Sequence, residues 1–336
     1  MKKVMVMLLV LLVAMVSVSA NGSSEESGST ADSPRKVIVA HTGNERTTYQ
    51  TGMVAFKEEL ERLTEGRYVC EIYPATLGGD KVLMEGLQIG TVDFAEINTS
   101  VISSIVPELS VLDLPYLFTS SEAAYKVLDG PIGDEMLALV QAKAGIIPVA
   151  YWENGFRYFT NDVRPIKTPD DLKGLKMRSM QSNTHLAAYK LWGADATPMS
   201  ISEMITAMQQ GVIQGHDNNT DTIVANSMWE YQKYFSESGH FYGSKVLAFS
   251  PSFWKSLSPE DQQLFTQAVE HARDVQRAEV ASRYAKSIQT LEANGMVVTK
   301  KEDIDTKAFV TSVQPVWDEY RNKYGDELIQ KIENAQ

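Results

Sequence analysis

Three strand-like segments and the two helical patterns between them decide the fold. The segments are KVIVA at residues 36–40, RYVCEIY at residues 67–73 and VDFA at residues 92–95. Between them, apolar residues spaced three and four positions apart predict helices at about 47–63 and 82–87. Strands that alternate with helices are typical of a parallel sheet with helices on its faces. The sequence therefore predicts an α/β fold.

Later segments extend this pattern. Apolar runs predict further strands at 146–151 and 175–177, and SISE at residues 200–203 has capping-box spacing at the start of a helix. The run Ser258-Pro259-Glu260-Asp261 is a strong helix start, and the helix that follows extends to about Asn294. A helix of that length is unusual in a globular domain. We expect it to pack across two lobes.

Composition limits the classes of function. The chain has 336 residues, and 31 Lys and Arg against 43 Asp and Glu give a formal net charge of −12. That length is enough for two domains, and so acidic a balance argues against a nucleic-acid partner. One cysteine and five scattered histidines exclude a disulfide framework and a zinc ribbon. Cys70, in a predicted strand, is expected to be a small core residue. No metal and no cofactor is expected.

The N-terminus has the pattern of a secretory signal. Lys2 and Lys3 precede an apolar run that ends in Ser17-Val18-Ser19-Ala20, a small-residue cleavage pattern. The alternative, a membrane anchor, needs about 20 apolar residues, and this run is shorter. We predict a signal peptide at residues 1–20 and a flexible, polar leader at residues 21–35. The chain is then periplasmic.

No local motif predicts catalysis. The sequence contains no GxGxxG, P-loop, HExxH or nucleophile-elbow pattern. In the short strand at 175–178, Leu175 and Met177 point to one face while Lys176 and Arg178 point to the other. Arg178 then lies at the carboxyl end of a strand, where open α/β sheets bind ligands, and its planar fork suits a carboxylate. Taken alone, a surface ion pair is the other interpretation of Arg178.

A second segment has the chemistry of a polar ligand site. Residues 207–219 (AMQQGVIQGHDNN) end in amides and an acid, which are good donors and acceptors for a ligand with many hydroxyl groups. Gly78-Gly79 precedes a predicted helix, where either an anion site or a simple turn is possible. In isolation the 207–219 segment also fits a polar turn.

Taken together, these segments resemble a known family. The chain from about Val37 to its C-terminus is similar to the solute-binding subunits of tripartite ATP-independent periplasmic (TRAP) transporters of the DctP type. The motifs that carry this resemblance are YP…LG at residues 73–78, GLQ…GTVDF at residues 86–94, LDLPYLF at residues 112–118, the block at residues 155–178, GA…TPM at residues 193–199, Glu203, and residues 207–215.

The resemblance implies a two-lobed periplasmic-binding-protein clamshell that closes on an organic acid. Arg178 would take the ligand carboxylate, Arg157 would support or share that ion pair, and the family's asparagine falls on Asn218. The contact that follows the Val-Asp-Phe strand falls on Asn98, or on Glu96 if the register shifts. Weaker candidates are Asp80, which could instead be a helix N-cap, and His41 with Thr42 at the end of the first strand, where His41 could instead be a loop residue.

Departures from the family pattern indicate the ligand. Gln214 stands where the family commonly has Asp, Asp217 where it has Glu, and Asn219 where it has Pro. The Asn218-Asn219 pair resembles members that bind uronates and aldonates, so we expect a monocarboxylate sugar acid. A C4-dicarboxylate or another organic acid is the alternative.

The resemblance also implies the partners and the lobe boundaries. The expected partners are a small-molecule organic acid and the TRAP membrane permease, with no nucleic acid, and the protein is expected to be a monomer and not an enzyme. A module that presents its ligand to a membrane sensor, and a secreted hydrolase or lyase on the same scaffold, are the other classes of function. We expect lobe I at residues 36–155 with about 244–284, and lobe II at residues 156–243 with about 285–336.

Overall fold

The computed structural model describes residues 33–336, so the predicted signal peptide and most of the predicted leader lie outside the described residues. The strands are β1 Arg35–His41, β2 Tyr68–Pro74, β3 Phe94–Asn98, β4 Ile147–Asn161, β5 Lys176–Ser179, β6 Asp195–Pro198, β7 Gly215–Asn218, β8 Tyr234–Phe249 and β9 Val297–Thr299.

Helices connect these strands. They are α1 Thr48–Leu63, α2 Asp80–Ile89, α3 Thr99–Ile102, α4 Ser121–Leu128, α5 Pro131–Ala144, α6 Asn183–Leu191, α7 Ile201–Gln209, α8 Thr220–Ala225, α9 Pro251–Lys255, α10 Pro259–Ala293, α11 Thr306–Ser312, α12 Gln314–Tyr324 and α13 Glu327–Ala335. Short 3-10 segments lie at Pro107–Asp113, Pro169–Leu172, Met228–Glu230 and Lys301–Asp303.

The strands form one mixed sheet with two parallel ends. The strand order is β2-β1-β3-β8-β4-β7-β5-β6, with β9 beside β8. Strands β2, β1 and β3 are parallel to one another, as are β7, β5 and β6. The long strands β4 and β8 pair antiparallel to each other and join the two parallel groups. This is the two-lobed α/β arrangement that the sequence predicts.

The long helix α10 is also confirmed. It begins at Pro259, with the Ser258 hydroxyl accepting a hydrogen bond from the Asp261 amide, and continues for 35 residues. It packs against α1 and β4 near one parallel group and against α8 and β9 near the other. The lobe boundaries expected near residues 155, 243 and 284 stay a prediction.

Two predicted strands differ from the observed ones. The strand expected at 92–95 runs from Phe94 to Asn98, because Asp93 lies in a turn where its carboxylate and its amide both bond to the Ile38 backbone. The strand expected at 146–151 continues to Asn161. Its apolar pattern is interrupted by polar residues and by bulges, one of them at Gly155, but pairing with β8 continues across them.

The short-range predictions agree with the structure. Ser200 and Glu203 form the expected capping box at the start of α7. Cys70 is a free, buried residue of β2, and burial raises the pKa of its thiol to about 12. Among residues 33–336, none of the helices combines the length and the apolar composition that a membrane crossing requires.

Candidate functional site

A cavity of about 260 Å³ lies between the carboxyl ends of the two parallel groups. Six of the seven predicted site residues line it: Thr42, Asp80, Asn98, Arg157, Arg178 and Asn218. The topology explains this convergence, because β1, β3, β5 and β7 all end at the cavity. A crevice outside the carboxyl ends of the strands is the usual ligand position in an open α/β sheet.

His41 is the exception. It is the last residue of β1 and not a loop residue, but its side chain does not line the cavity. Its Nε2 lies 2.7 Å from the Gln50 Oε1 atom, and burial lowers the pKa of the imidazole to about 4. The structure therefore makes His41 a neutral packing residue behind the site.

Arg157 is neutralised within the protein. It lies in β4, and its Nε donates to the Asp217 carboxylate over 2.5 Å while Nη1 donates to Asn218 Oδ1 over 3.4 Å. Tyr189 also donates to Asp217, over 2.8 Å. Burial opposes ionisation of this carboxylate, but the charge of Arg157 and the neighbouring donors hold the pKa of Asp217 well below its usual range. Arg157 and Asp217 form a buried, closed ion pair.

Arg178 has no such partner. It lies in β5 with a relative exposure of 2%, its Nε donates to the Met199 carbonyl over 2.9 Å, and Nη1 lies 3.5 Å from the Met180 sulfur. No carboxylate of residues 33–336 lies within 4.0 Å of its guanidinium. Burial, and then repulsion from Arg157, lower the pKa of Arg178 to about 10, so the group stays positive at neutral pH. The site therefore contains a buried, uncompensated positive charge.

Strand alternation holds for β5, but it does not separate buried from exposed residues. Lys176 and Arg178 share one face of the strand as expected, and yet Lys176 is exposed while Arg178 is buried. That face passes from solvent at the start of the strand to the cavity at its end. The surface ion pair considered for Arg178 is therefore wrong.

The wall opposite β5 has two acids around one lysine. Lys245 of β8 is buried, bonds the Glu96 carboxylate and the Thr42 hydroxyl, and lies 3.9 Å from Asp80 Oδ1. Burial alone would lower the pKa of Lys245, but the two acids raise it above its ordinary value. Lys245 thus neutralises Glu96 directly and is shared with Asp80.

Asp80 and three asparagines form a connected network beside this lysine. Asp80 follows the N-cap of α2, which is Gly79, so the N-cap interpretation of Asp80 is wrong. Asp80 Oδ1 instead accepts two hydrogen bonds from Asn98, one from its backbone N–H over 2.7 Å and one from its side-chain Nδ2 over 2.9 Å. Asn98 Oδ1 accepts from Asn154 Nδ2, and Asn154 Oδ1 accepts from Asn219 Nδ2. The network links β3, β4 and the start of α8.

Several lining residues escaped the sequence analysis. Lys245, Asn154 and Tyr49 line the cavity, and Asp217 supports it from behind. One signal was present for Lys245, since it is a lone lysine in the apolar run of residues 241–249. Asn154 stands three residues before Arg157, but the bulge that turns it toward the cavity is invisible in the sequence. Across residues 33–336, no group of three or more His, Cys, Asp or Glu side chains is arranged to hold a metal ion.

Comparison with known proteins identifies the family. Residues 39–323 match the family model DctP, described as bacterial extracellular solute-binding protein, family 7. A solute-binding protein of Verminephrobacter eiseniae is 38% identical, over 84% of this chain and 83% of its own length. The 2,3-diketo-L-gulonate-binding periplasmic protein YiaO of Escherichia coli is 33% identical, over 76% of this chain and 77% of its own.

A solved structure agrees with these relatives. The TRAP periplasmic solute-binding protein of Polaromonas sp. JS666, bound to D-erythronate, superposes with a TM-score of 0.86 at 36% identity, covering 89% of this chain and 98% of that one. The chain belongs to the DctP family of TRAP transporter solute-binding proteins, whose members are extracytoplasmic.

The buried Arg157–Asp217 pair gives a first prediction. In Asp217→Asn the arginine stays buried without a counter-ion, so the free energy of unfolding should fall by about 3–5 kcal/mol. Asp170→Asn removes an exposed pair with Lys173 and should cost less than about 1 kcal/mol. Urea unfolding at neutral pH measures both, and equal losses would contradict the closed-pair interpretation.

Buried histidine gives a second prediction. Burial lowers the pKa of His240 to about 4 from an ordinary 6.5, although Asp217 lies 3.5 Å away. Between these pH values the unfolded chain binds a proton that the native protein does not, so His240 makes the free energy of unfolding decrease as pH falls. The contribution is up to about 1.4 kcal/mol per pH unit.

The variant His240→Gln should therefore show a shallower pH dependence than the wild type between about pH 6.5 and pH 4. Urea unfolding at several pH values measures this slope independently of any overall loss of stability. An unchanged slope would mean that His240 is protonated in the native protein.

Proposed function

We propose that this chain captures a monocarboxylate sugar acid, such as a uronate or an aldonate, between its two lobes and delivers it to a TRAP permease. The observation that carries the proposal is Arg178, a buried guanidinium without a carboxylate partner in residues 33–336. A buried charge is costly unless it is paired, and a ligand carboxylate supplies the pair through two parallel hydrogen bonds. Arg157 is already paired with Asp217, so it supports the site and leaves Arg178 as the carboxylate anchor.

The charge on the opposite wall supports an acid with one carboxylate. Lys245 contacts Glu96 and is shared with Asp80, so among the described residues this wall contains no unpaired cation. A second ligand carboxylate would meet the Asp80 charge without a counter-ion of its own, which is unfavourable in a partly dry cavity. Hydroxyl groups, by contrast, can donate to carboxylate and amide oxygens and can accept from amide and ammonium groups.

Free donors and an apolar wall fit a polyhydroxylated chain. Asn218 Oδ1 accepts hydrogen bonds from Arg157 and from the backbone N–H of Asn219. Asn218 Nδ2, by contrast, has no acceptor among the described residues. Met180, Ile201 and Ile205 line the same cavity and can pack against the carbon skeleton. YiaO is named for a sugar acid, and the Polaromonas protein is bound to one. The ligands that these two proteins are named for belong to the class of ligand that this cavity lining fits.

Binding is proposed to hold the lobes together. Arg178 and Asn218 come from the β7-β5-β6 group, whereas Thr42, Asp80 and Asn98 come from the β2-β1-β3 group and α2. At the cavity rim, Asn44 Nδ2 donates to the Ala225 carbonyl and to Asn226 Oδ1, over 3.0 and 3.2 Å. A ligand that contacts both walls binds the closed form more tightly and shifts the population toward it. The permease would then recognise the closed form.

The remaining features of the proposal follow the family. The protein acts in the periplasm after removal of residues 1–20, as a monomer and without catalysis. Its lobes are residues 36–155 with about 244–284, and residues 156–243 with about 285–336. The chain crosses between them in β4, β8 and α10.

The carboxylate anchor gives a third prediction. Isothermal titration against uronates, aldonates, C4-dicarboxylates, sialate and 2-oxoacids should find saturable, stoichiometric binding of a sugar acid. Arg178→Ala should weaken that binding about 30-fold or more, because the loss of a buried charge partner costs about 2–5 kcal/mol. Arg62→Ala, which removes an exposed arginine on α1, should leave it unchanged.

Two results would contradict this proposal. If Arg178→Ala bound the acid as tightly as the wild type, Arg178 would not be the anchor. Sustained chemical turnover of the bound acid by the purified protein would indicate an enzyme.

The charge on the opposite wall gives a fourth prediction. Asp80→Asn keeps an oxygen for the Asn98 amide but removes the negative charge, so the affinity for succinate should rise about tenfold relative to that for the sugar acid. Asp162→Asn makes the same change of net charge at an exposed position and should leave the ratio unchanged. Equal ratios in the two variants would show that Asp80 does not exclude a second carboxylate.

A further inference from the structure

A second cavity, of about 470 Å³, lies beside the β4 bulge. It is bounded by the first turns of α4, by β4 residues 153–158, by the start of α8 and by the middle of α10. Asn154 lines both this cavity and the Arg178 cavity, so the two lie back to back at the bulge. The proposed capture of a sugar acid does not use this second cavity.

The second cavity contains a buried carboxylate with no cationic partner. Glu153 has a relative exposure of 2%, accepts a hydrogen bond from the Ser121 hydroxyl over 2.6 Å and another from the Tyr125 hydroxyl. A carboxylate has about four acceptor positions, so two remain. No Lys, Arg or His nitrogen of residues 33–336 lies within 4.0 Å of Glu153.

Arg277 lines the same cavity but neutralises a different acid. Its two terminal nitrogens both donate to Asp129, and Nη2 also donates to the Tyr151 carbonyl over 2.9 Å. Its guanidinium lies 4.2 Å from the centre of the Tyr125 ring. The positive charge of Arg277 is therefore held at Asp129, and Glu153 is a buried carboxyl of the cavity without a cation of its own. Burial raises the pKa of Glu153, as expected for such a carboxyl.

The surroundings of Glu153 are aromatic and open. Phe156, Tyr158 and Tyr284 line the cavity, with the Tyr158 and Tyr284 ring centres 6.0 Å apart. Tyr284 is 40% exposed and lies on the solvent side. Gly155 has φ +95°, and a Cβ there would lie 3.6 Å from Glu153 Oε1, so bare backbone leaves space in front of the carboxylate.

From this geometry we propose that the second cavity binds a small organic ammonium ion, with Glu153 as its counter-ion and the aromatic side chains around its alkyl groups. Aromatic faces attract ammonium groups, and a carboxylate at the base of an aromatic pocket adds a charge-assisted contact. A calcium ion would need six to eight oxygen ligands, and a single carboxylate does not supply them. The site shares Asn154 with the sugar-acid site, but the carboxylate anchor Arg178 is not part of it.

The test is a titration of the purified chain with tetramethylammonium chloride and with n-butylammonium chloride, at ionic strength held constant with sodium chloride. Binding is followed by isothermal titration and by tyrosine and tryptophan fluorescence. We expect saturable binding that is weakened about tenfold in Glu153→Gln and also in Tyr284→Ala, a substitution near the surface that leaves the buried carboxylate in place.

Two controls separate this site from the general acidity of the protein and from the sugar-acid site. Glu270→Gln removes an exposed acid elsewhere on α10 and should leave the ammonium affinity unchanged. Arg178→Ala should also leave it unchanged. The proposal is overturned if neither probe saturates below about 100 mM, or if Glu153→Gln and Glu270→Gln bind the probes equally. It is also overturned if Arg178→Ala abolishes the binding.

Discussion

Asp217 is the only carboxylate among the described residues that pairs with either of the two buried arginines of the site, and it pairs with Arg157. Its second oxygen accepts a hydrogen bond from Tyr189, and His240 packs nearby, so it has little capacity left for Arg178. Because burial disfavours an unpaired charge, Arg178 is the group of the site that the described residues leave without a counter-ion. The ends of both parallel strand groups, together with Lys245 and Asp80, line the cavity that contains this charge.

The strand pair β4–β8 places the charged groups. Arg157 and Lys245 come from these two strands, and so do Asn154 and Glu153. In regular pairing, alternate residues face opposite sides of a sheet, which would keep Asn154 and Arg157 on different faces. The register shift between Glu153 and Gly155, which leaves Asn154 out of regular pairing with β8, breaks that alternation. Residues of one strand therefore serve two cavities: Arg157 lines the one that contains Arg178, Glu153 lines the other, and Asn154 lines both.

The sequence predicts the features that depend on local patterns. Periodicity and capping predict β1, α1 and α10, and the strand-end position of Arg178 with the family motifs predicts six of the residues that line the cavity. What the sequence could not show depends on pairing between distant segments. Asp217 becomes the partner of Arg157 only because β4 and β7 are adjacent, and Lys245 reaches Glu96 and Asp80 only because β8 lies beside β3. His41 ends β1 as expected, but a strand end does not reveal which way its last side chain turns, and this one does not line the cavity.

The strand order also has a consequence for how the chain is made. β3 pairs on one edge with β1, but its other partner is β8, which follows β4 to β7 in the chain. Until β8 is synthesised and has reached its place, the apolar strand β3 has an open edge, and such edges pair readily with other chains. Contacts between segments so far apart also slow folding. The second edge of β3 is therefore covered only by a strand that lies nearly three quarters of the way along the chain.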